Sequence, residues 1–231
     1  MPDTIHILPT AELAERVLLP GDPGRALRLA QHLLSPPKMF NHNRGLWGYT
    51  GAARDGRLLT IQSTGMGGPS AAIVVSELHE LGARRMLRVG TCGALDSDLE
   101  LGQLLIATEA VSDDGVSRAL NGSQRQAPGA ELLADLRRAA GPTVRCGPVV
   151  STDLFYDTPP GVEQRWRDQG ALAVEMEAAS LFALAGRRGF AAAAALIVSD
   201  LVLPRRQRIA PEDLPAAEQR LGELALAALS S

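Results

Sequence analysis

Several kinds of residue are scarce in this chain, and each scarcity excludes a class of protein. The 231 residues include two cysteines, Cys92 and Cys146, which have neither the spacing of metal ligands nor the number of a disulfide framework. We therefore expect reduced thiols, a cytoplasmic location and no bound metal. The only lysine is Lys38, and 26 acidic residues outweigh 23 basic ones, so no overall positive charge attracts nucleic acid.

Long apolar runs are also missing. The most apolar stretch, Ala191 to Val198, is bounded by Gly189 and Asp200 and is much shorter than the roughly 20 residues that a bilayer span requires. The segment from Met1 to Ala11 has neither a basic start nor an apolar core, so we expect no signal peptide and no membrane partner.

The remaining composition is that of a globular protein, with 45% apolar and 21% charged residues. A chain of this length can bury a substantial core, and we expect a single domain over residues 1–231. Apolar runs alternate with amphipathic segments, and Asp55-Gly56 marks a hairpin between two early strands. The pattern predicts an α/β fold: a three-layer α/β/α sandwich with a mixed, mostly parallel central sheet.

The predicted elements cover most of the chain. Strands are predicted at 16–19, 47–53, 58–64, 86–89, 104–111, 144–150 and 191–198. Helices are predicted from Asp22-Pro23 to Leu33 and at 69–81, 130–140, 161–169, 177–188 and 211–229. The polar stretch from Ser112 to Pro128 is predicted to be a long surface loop.

Three glycine-rich segments each follow an apolar run: Gly21-Asp-Pro-Gly-Arg25, Gly65-Met-Gly-Gly-Pro-Ser70 and Gly90-Thr-Cys-Gly93. As turns at the carboxyl ends of strands, they would bring backbone N–H groups to one anion. Arg88 precedes the third segment inside an apolar run, where a charge is costly unless it is paired or liganded. Because arginine matches phosphate oxygens bidentately, Arg25 and Arg88 indicate a phosphate site.

Two common phosphate motifs are excluded. A P-loop requires a lysine, and none of the three glycine segments contains one. The dinucleotide-binding fingerprint requires a third glycine where this chain has Ser70.

The sequence resembles the nucleoside phosphorylase-I family, which includes hexameric purine nucleoside phosphorylases and uridine phosphorylases. The resemblance covers most of the chain and rests on segments that occur in the family's order: Val17-Leu-Leu-Pro-Gly-Asp-Pro-Gly-Arg25, Asn43-Arg-Gly-Leu-Trp-Gly-Tyr-Thr-Gly51, Gly65 to Ser70, Leu87-Arg-Val-Gly-Thr-Cys-Gly-Ala94, Ser151-Thr-Asp-Leu-Phe-Tyr156, Val174-Glu-Met-Glu-Ala-Ala179 and Val198-Ser-Asp200.

This resemblance implies reversible phosphorolysis, in which a nucleoside and inorganic phosphate give a free base and ribose 1-phosphate. Phosphate is then a co-substrate, and no cofactor is implied. By the same resemblance, the phosphate ligands are Gly21, Arg25, Arg88, Thr91 and, from a neighbouring subunit, Arg44. The implied nucleoside contacts are His6, Met66, Phe155, Glu175, Met176, Glu177 and Ser199, with Tyr156 beside Phe155 in an aromatic wall.

Asp200 is the predicted catalytic residue, because an acid at the end of a buried strand can protonate purine N7 as the base departs. Glu175 and Glu177 are two residues apart and would point about 200° from each other within a helix. Both can contact one ribose only if Glu175 precedes the helix, which we therefore expect to begin near Met176. The family's purine enzymes pair the aspartate with an arginine, and Arg205, Arg206 and Arg208 remain open as that partner.

Three other functions remain open. Gly65-Met-Gly-Gly-Pro and Thr91 resemble the uridine branch, whereas the short segment from Tyr156 to Gln169 and the presence of Asp200 favour purines. A hydrolytic nucleosidase would use water and would not need Arg25 and Arg88. A non-catalytic nucleoside-binding protein could share the fold. If His6 and Arg44 enter another subunit's site, the minimal assembly is a dimer, and the resemblance suggests a homo-hexamer built as a trimer of dimers.

Overall fold

A computed structural model describes residues 4–203 and 205–231, and these residues form an eleven-stranded sheet with helices on both faces. The strands are β1 (Arg16–Leu19), β2 (Lys38–Asn41), β3 (Gly48–Ala52), β4 (Leu58–Gln62), β5 (Arg85–Ala94), β6 (Leu104–Asp113), β7 (Arg125–Gln126), β8 (Arg145–Thr152), β9 (Ala173–Glu175), β10 (Ala191–Leu201) and β11 (Gln207–Arg208). The helices are α1 (Pro23–Leu33), α2 (Gly68–Leu81), α3 (Gly115–Asn121), α4 (Ala130–Ala140), α5 (Val162–Asp168), α6 (Ala178–Arg188) and α7 (Leu214–Leu229).

The sheet is mixed, and its long central pairings are parallel. Strands β4, β1, β5 and β10 run parallel side by side, as do β6, β8 and β9. Strand β10 pairs with both β5 and β6, and β9 pairs with both β5 and β8. Strands β5, β10, β6, β8 and β9 therefore close into a ring, and β1, β4, β3 and β2 extend from it as an open sheet.

Two large apolar cores lie on opposite faces of the sheet. Helices α1, α4 and α7 pack on one face, around residues such as Leu29, Leu132 and Leu221. Helices α2 and α6 pack on the other face with residues such as Val74 and Phe182, and α3 contacts both helices there. The predicted three-layer arrangement is confirmed, and its burial follows from the apolar runs on which the prediction rested.

Several local predictions are also confirmed. The Asp22 carboxylate accepts hydrogen bonds from the backbone N–H groups of Gly24 and Arg25 and so caps α1, with Pro23 in the first turn. Asp55-Gly56 lies in the connection between β3 and β4, which pair antiparallel. The predicted boundaries of β1 and α4 agree with the observed ones.

Three sequence predictions about loops are wrong. The segment from Gly90 to Gly93 is not a turn, because β5 continues through it to Ala94. Asp200 does not follow its strand but lies inside β10, which extends to Leu201. The stretch from Ser112 to Pro128 contains the end of β6, helix α3 and strand β7. In each case, glycine or polar residues suggested a break in regular structure. Hydrogen bonds to neighbouring strands continue β5 and β10 past these residues. Helix α3 begins because the Asp114 carboxylate accepts a hydrogen bond from the backbone N–H of Ser117.

Four short strands, β2, β7, β9 and β11, were not predicted, because two to four residues carry too little periodicity to be recognised.

Among residues 4–203 and 205–231, no helix is long and apolar enough to cross a membrane.

Candidate active site

A cavity of about 620 Å³ opens where the ends of β1, β5, β9 and β10 meet the loop after β4. Eleven of the residues predicted to form the site line it: Gly21, Arg25, Met66, Arg88, Thr91, Phe155, Glu175, Met176, Glu177, Ser199 and Asp200. These residues come from segments far apart in the sequence, and the sheet brings them together.

The first two glycine segments meet at one end of the cavity. The backbone N–H of Gly65 donates to the carbonyl oxygen of Gly21 across 3.1 Å, so the loop after β1 and the loop after β4 are joined directly. Arg25, in the first turn of α1, reaches the cavity and donates from Nε to Glu218 Oε1 at 2.8 Å. Because this bond uses Nε, the two terminal amino groups of Arg25 remain available to an anion.

Arg88 is the most constrained cation of the cavity. Its Nε donates to Glu175 Oε2 at 2.9 Å, and its Nη2 forms an ion pair with Glu177 Oε2. Its Nη1 is buried and has no hydrogen-bond partner among the described residues. Burial opposes the charge, but the nearby carboxylates of Glu177 and Glu175 outweigh it and raise the pKa of Arg88.

The role of Gly90 differs from the predicted turn. A Cβ atom at this position would lie 2.7 Å from Arg88 Cζ, so only glycine leaves room for the guanidinium to fold back over the strand. The sequence analysis therefore correctly identified Gly90 as part of the site, but the reason it gave for the glycine, a turn, was wrong. It marks the close approach of a side chain to an extended backbone rather than a reversal of the chain.

Glu175 and Glu177 lie between strand β9 and helix α6. Glu175 ends β9 and accepts hydrogen bonds from the backbone N–H groups of Glu177 and Ala178 at 2.9 and 3.0 Å, as well as from the Ser151 hydroxyl. Glu177 Oε1 accepts from the Gly67 N–H at 2.6 Å. Helix α6 begins at Ala178, so Glu175 precedes the helix as predicted, although the helix starts two residues later than Met176.

Burial raises the pKa of Glu177, and the positive charge of Arg88 only partly opposes this effect. Arg88 thus lies between two buried carboxyl groups, and burial shifts Glu177 toward its neutral form. When Glu177 is neutral, the cluster contains one carboxylate and one cation and has no net charge, which costs less to bury than two carboxylates around one cation.

A β-bulge places Asp200. The pairing of β10 with β5 shifts register between Val198 and Asp200, which leaves Ser199 as the extra residue. Bulges of this kind redirect side chains, and here both Ser199 and Asp200 face the cavity. The Ser199 hydroxyl donates to Asp200 Oδ2 at 2.8 Å.

Two of the three candidate arginines approach Asp200. Strand β11 pairs with β10 so that Arg208 lies opposite Asp200, with 3.2 Å between Arg208 Nε and Asp200 Oδ1. Arg206 Nε lies 3.7 Å from the same oxygen. Arg206 Nε is too far away for a hydrogen bond, and the Arg208 contact lacks hydrogen-bond geometry, so Oδ1 is a buried acceptor without a hydrogen bond among the described residues. Both arginines line the cavity, and sequence spacing alone could not choose between them because β11 is too short to be recognised.

An aromatic and cationic group borders the Asp200 end of the cavity. The Arg206 guanidinium lies 4.8 Å from the centre of the Phe155 ring, and Tyr156 contacts Phe155 edge to face. Tyr156 is exposed and lies outside the lining. The remaining lining residues were given no role by the sequence analysis. Nine of them lie inside the motifs that it recognised: Asp22, Pro23, Gly65, Gly90, Cys92, Gly93, Thr152, Leu154 and Val174. The other four carried no signal: Thr158, Glu163, Trp166 and Val202.

His6 and Arg44 lie together but outside the cavity of their own chain. His6 Nδ1 is 2.7 Å from Glu77 Oε1, and the Asn43 side chain donates to the His6 carbonyl at 3.1 Å. Arg44 is exposed and has a φ of 56°, a left-handed conformation that is uncommon for a residue other than glycine. Among the described residues, no group of three or more His, Cys, Asp and Glu side chains is arranged to hold a metal ion.

Comparisons with known proteins agree with this arrangement. A family model described as the phosphorylase superfamily matches residues 15–230. A DeoD-type purine nucleoside phosphorylase of Alkaliphilus metalliredigens is 36% identical over 216 residues, covering 90% of this chain and 92% of the relative. One from Jannaschia sp. is 39% identical over 228 residues, covering 94% and 93%. A guanosine phosphorylase of Halorubrum lacusprofundi is 39% identical over 206 residues, covering 87% and 85%. The chain belongs to the phosphorylase superfamily, which confirms the family predicted from the sequence.

Proposed function

We propose that this protein is a purine nucleoside phosphorylase, a glycosyltransferase that reversibly converts a purine ribonucleoside or deoxyribonucleoside and phosphate into the free base and the pentose 1-phosphate. The observation that carries the proposal is the set of groups that one cavity brings together. It combines two arginines and glycine-rich backbone, two buried glutamates, and a buried carboxyl oxygen of Asp200 that lies beside Ser199 and Arg208 and has no hydrogen bond among the described residues.

Phosphate is the nucleophile in this reaction. Its binding site consists of the terminal nitrogens of Arg25, the Thr91 hydroxyl, the backbone at Gly21 and Nη1 of Arg88, which has no partner in the described structure. A phosphate oxygen attacks C1′ of the pentose while the bond from C1′ to the base nitrogen breaks. The bound anion also stabilises the positive charge that develops on the sugar, an effect that is strong in a site shielded from water.

The pentose lies beside Glu175, Met176 and Glu177. Glu177 is held by the Gly67 N–H and by Arg88, so a carboxyl oxygen has a fixed position from which to hydrogen-bond the sugar hydroxyls. Met66 and Met176 also line the cavity and give an apolar surface to the sugar. Fixing both the sugar and the phosphate holds the reacting atoms in line.

Asp200 donates a proton to N7 of the departing purine, and the electron pair of the broken bond remains on the base. Ser199 orients the Asp200 carboxyl, and Arg208 stabilises the carboxylate that remains after the transfer. Phe155 offers an aromatic face to the base. The two relatives named purine nucleoside phosphorylase and the one named guanosine phosphorylase favour this assignment over uridine phosphorylase.

We further propose that the active enzyme is at least a homodimer and is completed as a hexamer of three dimers. His6 and Arg44 would then contribute to the site of a neighbouring subunit, reaching the sugar and the phosphate respectively. The strained backbone of Arg44 and the exposed apolar side chains of Ile5, Met39 and Trp47 near this segment support an interface there. The enzyme would need no cofactor. The two cysteines, free thiols in the described structure, suit a cytoplasmic location.

The proposal is tested by measuring base release from guanosine, inosine, adenosine and uridine, each with and without inorganic phosphate. We expect phosphate-dependent release from purine nucleosides, formation of ribose 1-phosphate and poor use of uridine. Release without phosphate would instead indicate a hydrolase, and uridine cleaved as fast as the purines would indicate the uridine branch. Binding of nucleoside without base release, unchanged in Asp200→Ala, would indicate a binding protein. Sedimentation of the active enzyme as a monomer would contradict the shared site.

A further inference from the structure

Glu218 is a buried carboxylate behind the cavity wall that the proposed reaction does not use. It lies on α7 with only 2% of its surface exposed, and it does not line the cavity. Its Oε1 accepts hydrogen bonds from Arg25 Nε at 2.8 Å and from Arg28 Nη2 at 2.8 Å, and its Oε2 accepts from Arg28 Nε at 2.6 Å. One carboxylate therefore joins two arginines that are three residues apart on α1.

The crossing of α1 and α7 fixes this contact. A Cβ atom at Gly222 would lie 2.5 Å from Leu29 Cδ2, so glycine allows the two helices to approach closely at that point. Arg25 lies one turn before Leu29, and Glu218 lies one turn before Gly222. Packing at the crossing therefore fixes the positions along the two helix axes at which Glu218 and Arg25 meet.

The carboxylate remains charged in this position. Burial would favour its neutral form, but hydrogen bonds from Arg28 and Arg25 together lower the pKa of Glu218. Arg28 is about half exposed and covers the outer side of the carboxylate. The three side chains carry a net charge of one positive unit, and Arg25 is the member that reaches the cavity.

We propose that Glu218 is a positioning residue for phosphate: it holds Arg25 by Nε and directs the two terminal amino groups of Arg25 into the cavity. The inference rests on the proposed function, because it assumes that the anion at Arg25 is the phosphate co-substrate. The second arginine of the site is held in the same way, since Glu175 binds Arg88 through Nε. Arg25 and Arg88 are thus each oriented through Nε by a buried glutamate. Arg25 leaves both terminal nitrogens for the ligand, whereas Arg88 leaves Nη1, because its Nη2 pairs with Glu177.

The test measures binding of inorganic phosphate to the full-length protein by calorimetry, together with steady-state kinetics. Glu218→Gln keeps the side-chain shape and removes the charge, and Glu218→Asp keeps the charge but is one methylene too short to reach Arg25. The Asp variant provides the test if the Gln variant does not fold. Glu223→Gln is the matched control, because Glu223 lies on the same helix and pairs with His32 at the surface.

We expect both Glu218 variants to bind phosphate about tenfold more weakly, since a hydrogen bond between charged groups contributes roughly that factor. The KM for phosphate should rise in parallel, while the KM for the nucleoside and the properties of Glu223→Gln should stay unchanged. In an Arg25→Met background, Glu218→Gln should cause no further loss, because its effect passes through Arg25.

Two results would overturn the inference. If a folded Glu218 variant binds phosphate as the parent protein does, Glu218 does not position Arg25, whether or not the protein is a phosphorylase. If Glu218→Gln weakens binding equally with and without Arg25, its role is structural. A parent protein that does not bind inorganic phosphate at all would instead overturn the proposed function, and the inference with it.

Discussion

Two buried arginines occupy opposite ends of the same pair of parallel strands. Arg16 begins β1, and Arg88 lies opposite Leu19, the last residue of β1. They are 3% and 5% exposed, so burial does not distinguish them. Arg16 donates five hydrogen bonds, which is all that its guanidinium can donate: two to Asp55 and one each to Leu58, Arg57 and Ser230. Arg88 leaves Nη1 without a partner among the described residues.

The difference indicates what each charge does. Arg16, at the amino end of β1, has no N–H group left for a ligand and joins Ser230, after α7, to the hairpin that contains Asp55. Arg88, at the carboxyl ends of the strands where α/β proteins bind ligands, keeps one buried nitrogen without a partner among the described residues. Asp200 Oδ1 is a second such atom in the same cavity. Gln62 Oε1 and Ser63 Oγ also find no partner within the described part of the chain, but they belong to neutral groups outside the cavity.

Arg88→Gln gives the largest expected effect. Because the amide cannot replace the cationic nitrogen at the phosphate, we expect kcat/KM for guanosine phosphorolysis to fall about a thousandfold. Arg84→Gln, at an exposed position on the same segment, is the control and should retain full activity. A folded Arg88→Gln enzyme with near-normal activity would show that the unpartnered nitrogen does not mark a ligand.

Asp200→Asn comes next. We expect kcat/KM for guanosine to fall about a hundredfold, because the amide cannot supply the proton that the departing base requires. A nucleoside methylated at N7 already carries the positive charge that protonation would create. The Asp200→Asn variant should therefore cleave this nucleoside with nearly the same kcat/KM as the parent protein, as measured by the release of the methylated base. An equal loss for both substrates would show that Asp200 does not protonate the base.

Asp55→Asn tests the role of Arg16. Removing the charge that accepts two hydrogen bonds from Arg16 should lower the free energy of unfolding by about 2 kcal/mol, a partial loss because Asp55 is partly exposed. Urea denaturation would measure this change. The kcat/KM of the folded variant should match that of the parent protein. A folded variant with a clearly lower kcat/KM would show that Arg16 also contributes to the reaction, as Arg88 is proposed to do.

The same pair predicts a pH dependence of stability. The hydrogen bonds from Arg16 are the main cause that lowers the pKa of Asp55 in the folded protein, well below its usual range. A carboxyl group with a lowered pKa stabilises the fold above its unfolded pKa of about 4, and the contribution disappears as the pH falls further. The stability difference between the parent and Asp55→Asn should thus be constant from pH 7 to about pH 5 and shrink below it. A difference that grows toward acid pH would contradict the ion pair.

Ser63→Ala should have the smallest effect. Its hydroxyl is buried without a partner among the described residues, so removing it eliminates a desolvation cost rather than an interaction. We expect a change in unfolding free energy of less than about 0.5 kcal/mol and unchanged kinetics. A marked loss of activity would show that unpartnered atoms outside the cavity also serve the reaction.

The sequence predicted the helices better than the strand ends. The caps and apolar stripes of α1 and α4 are local signals, and local chemistry was enough to place them. The ends of β5 and β10 were placed too early, because Gly90 and Asp200 read as breaks when the strands that pair with them are unknown. Strand β11 was missed because its two residues carry too little periodicity, so Arg208 could not be chosen from the three candidate arginines.

The sequence predicted individual residues of the candidate site but not the contacts that hold them in place. Arg25, Arg88 and Asp200 line the cavity as expected, because motifs and the cost of a buried charge are visible in sequence. Glu218 carried no signal, since a glutamate on an amphipathic helix is normally solvated. The roles of His6 and Arg44 stay predictions about a neighbouring subunit.

The sequence by itself determined the family, the layered α/β fold and the chemical groups of the site, because apolar periodicity, glycine-rich segments and charge within apolar runs are properties of the chain. Tertiary structure alone decided which of the buried arginines find a hydrogen-bond partner for every N–H group. Whether a guanidinium nitrogen finds a partner depends on Asp55, Glu175 or Glu218, residues 39, 87 and 193 positions away in sequence from the arginines they bind. Hydrogen bonds require contact within about 3 Å, and only the folded sheet and the crossing of α1 with α7 bring such distant groups together.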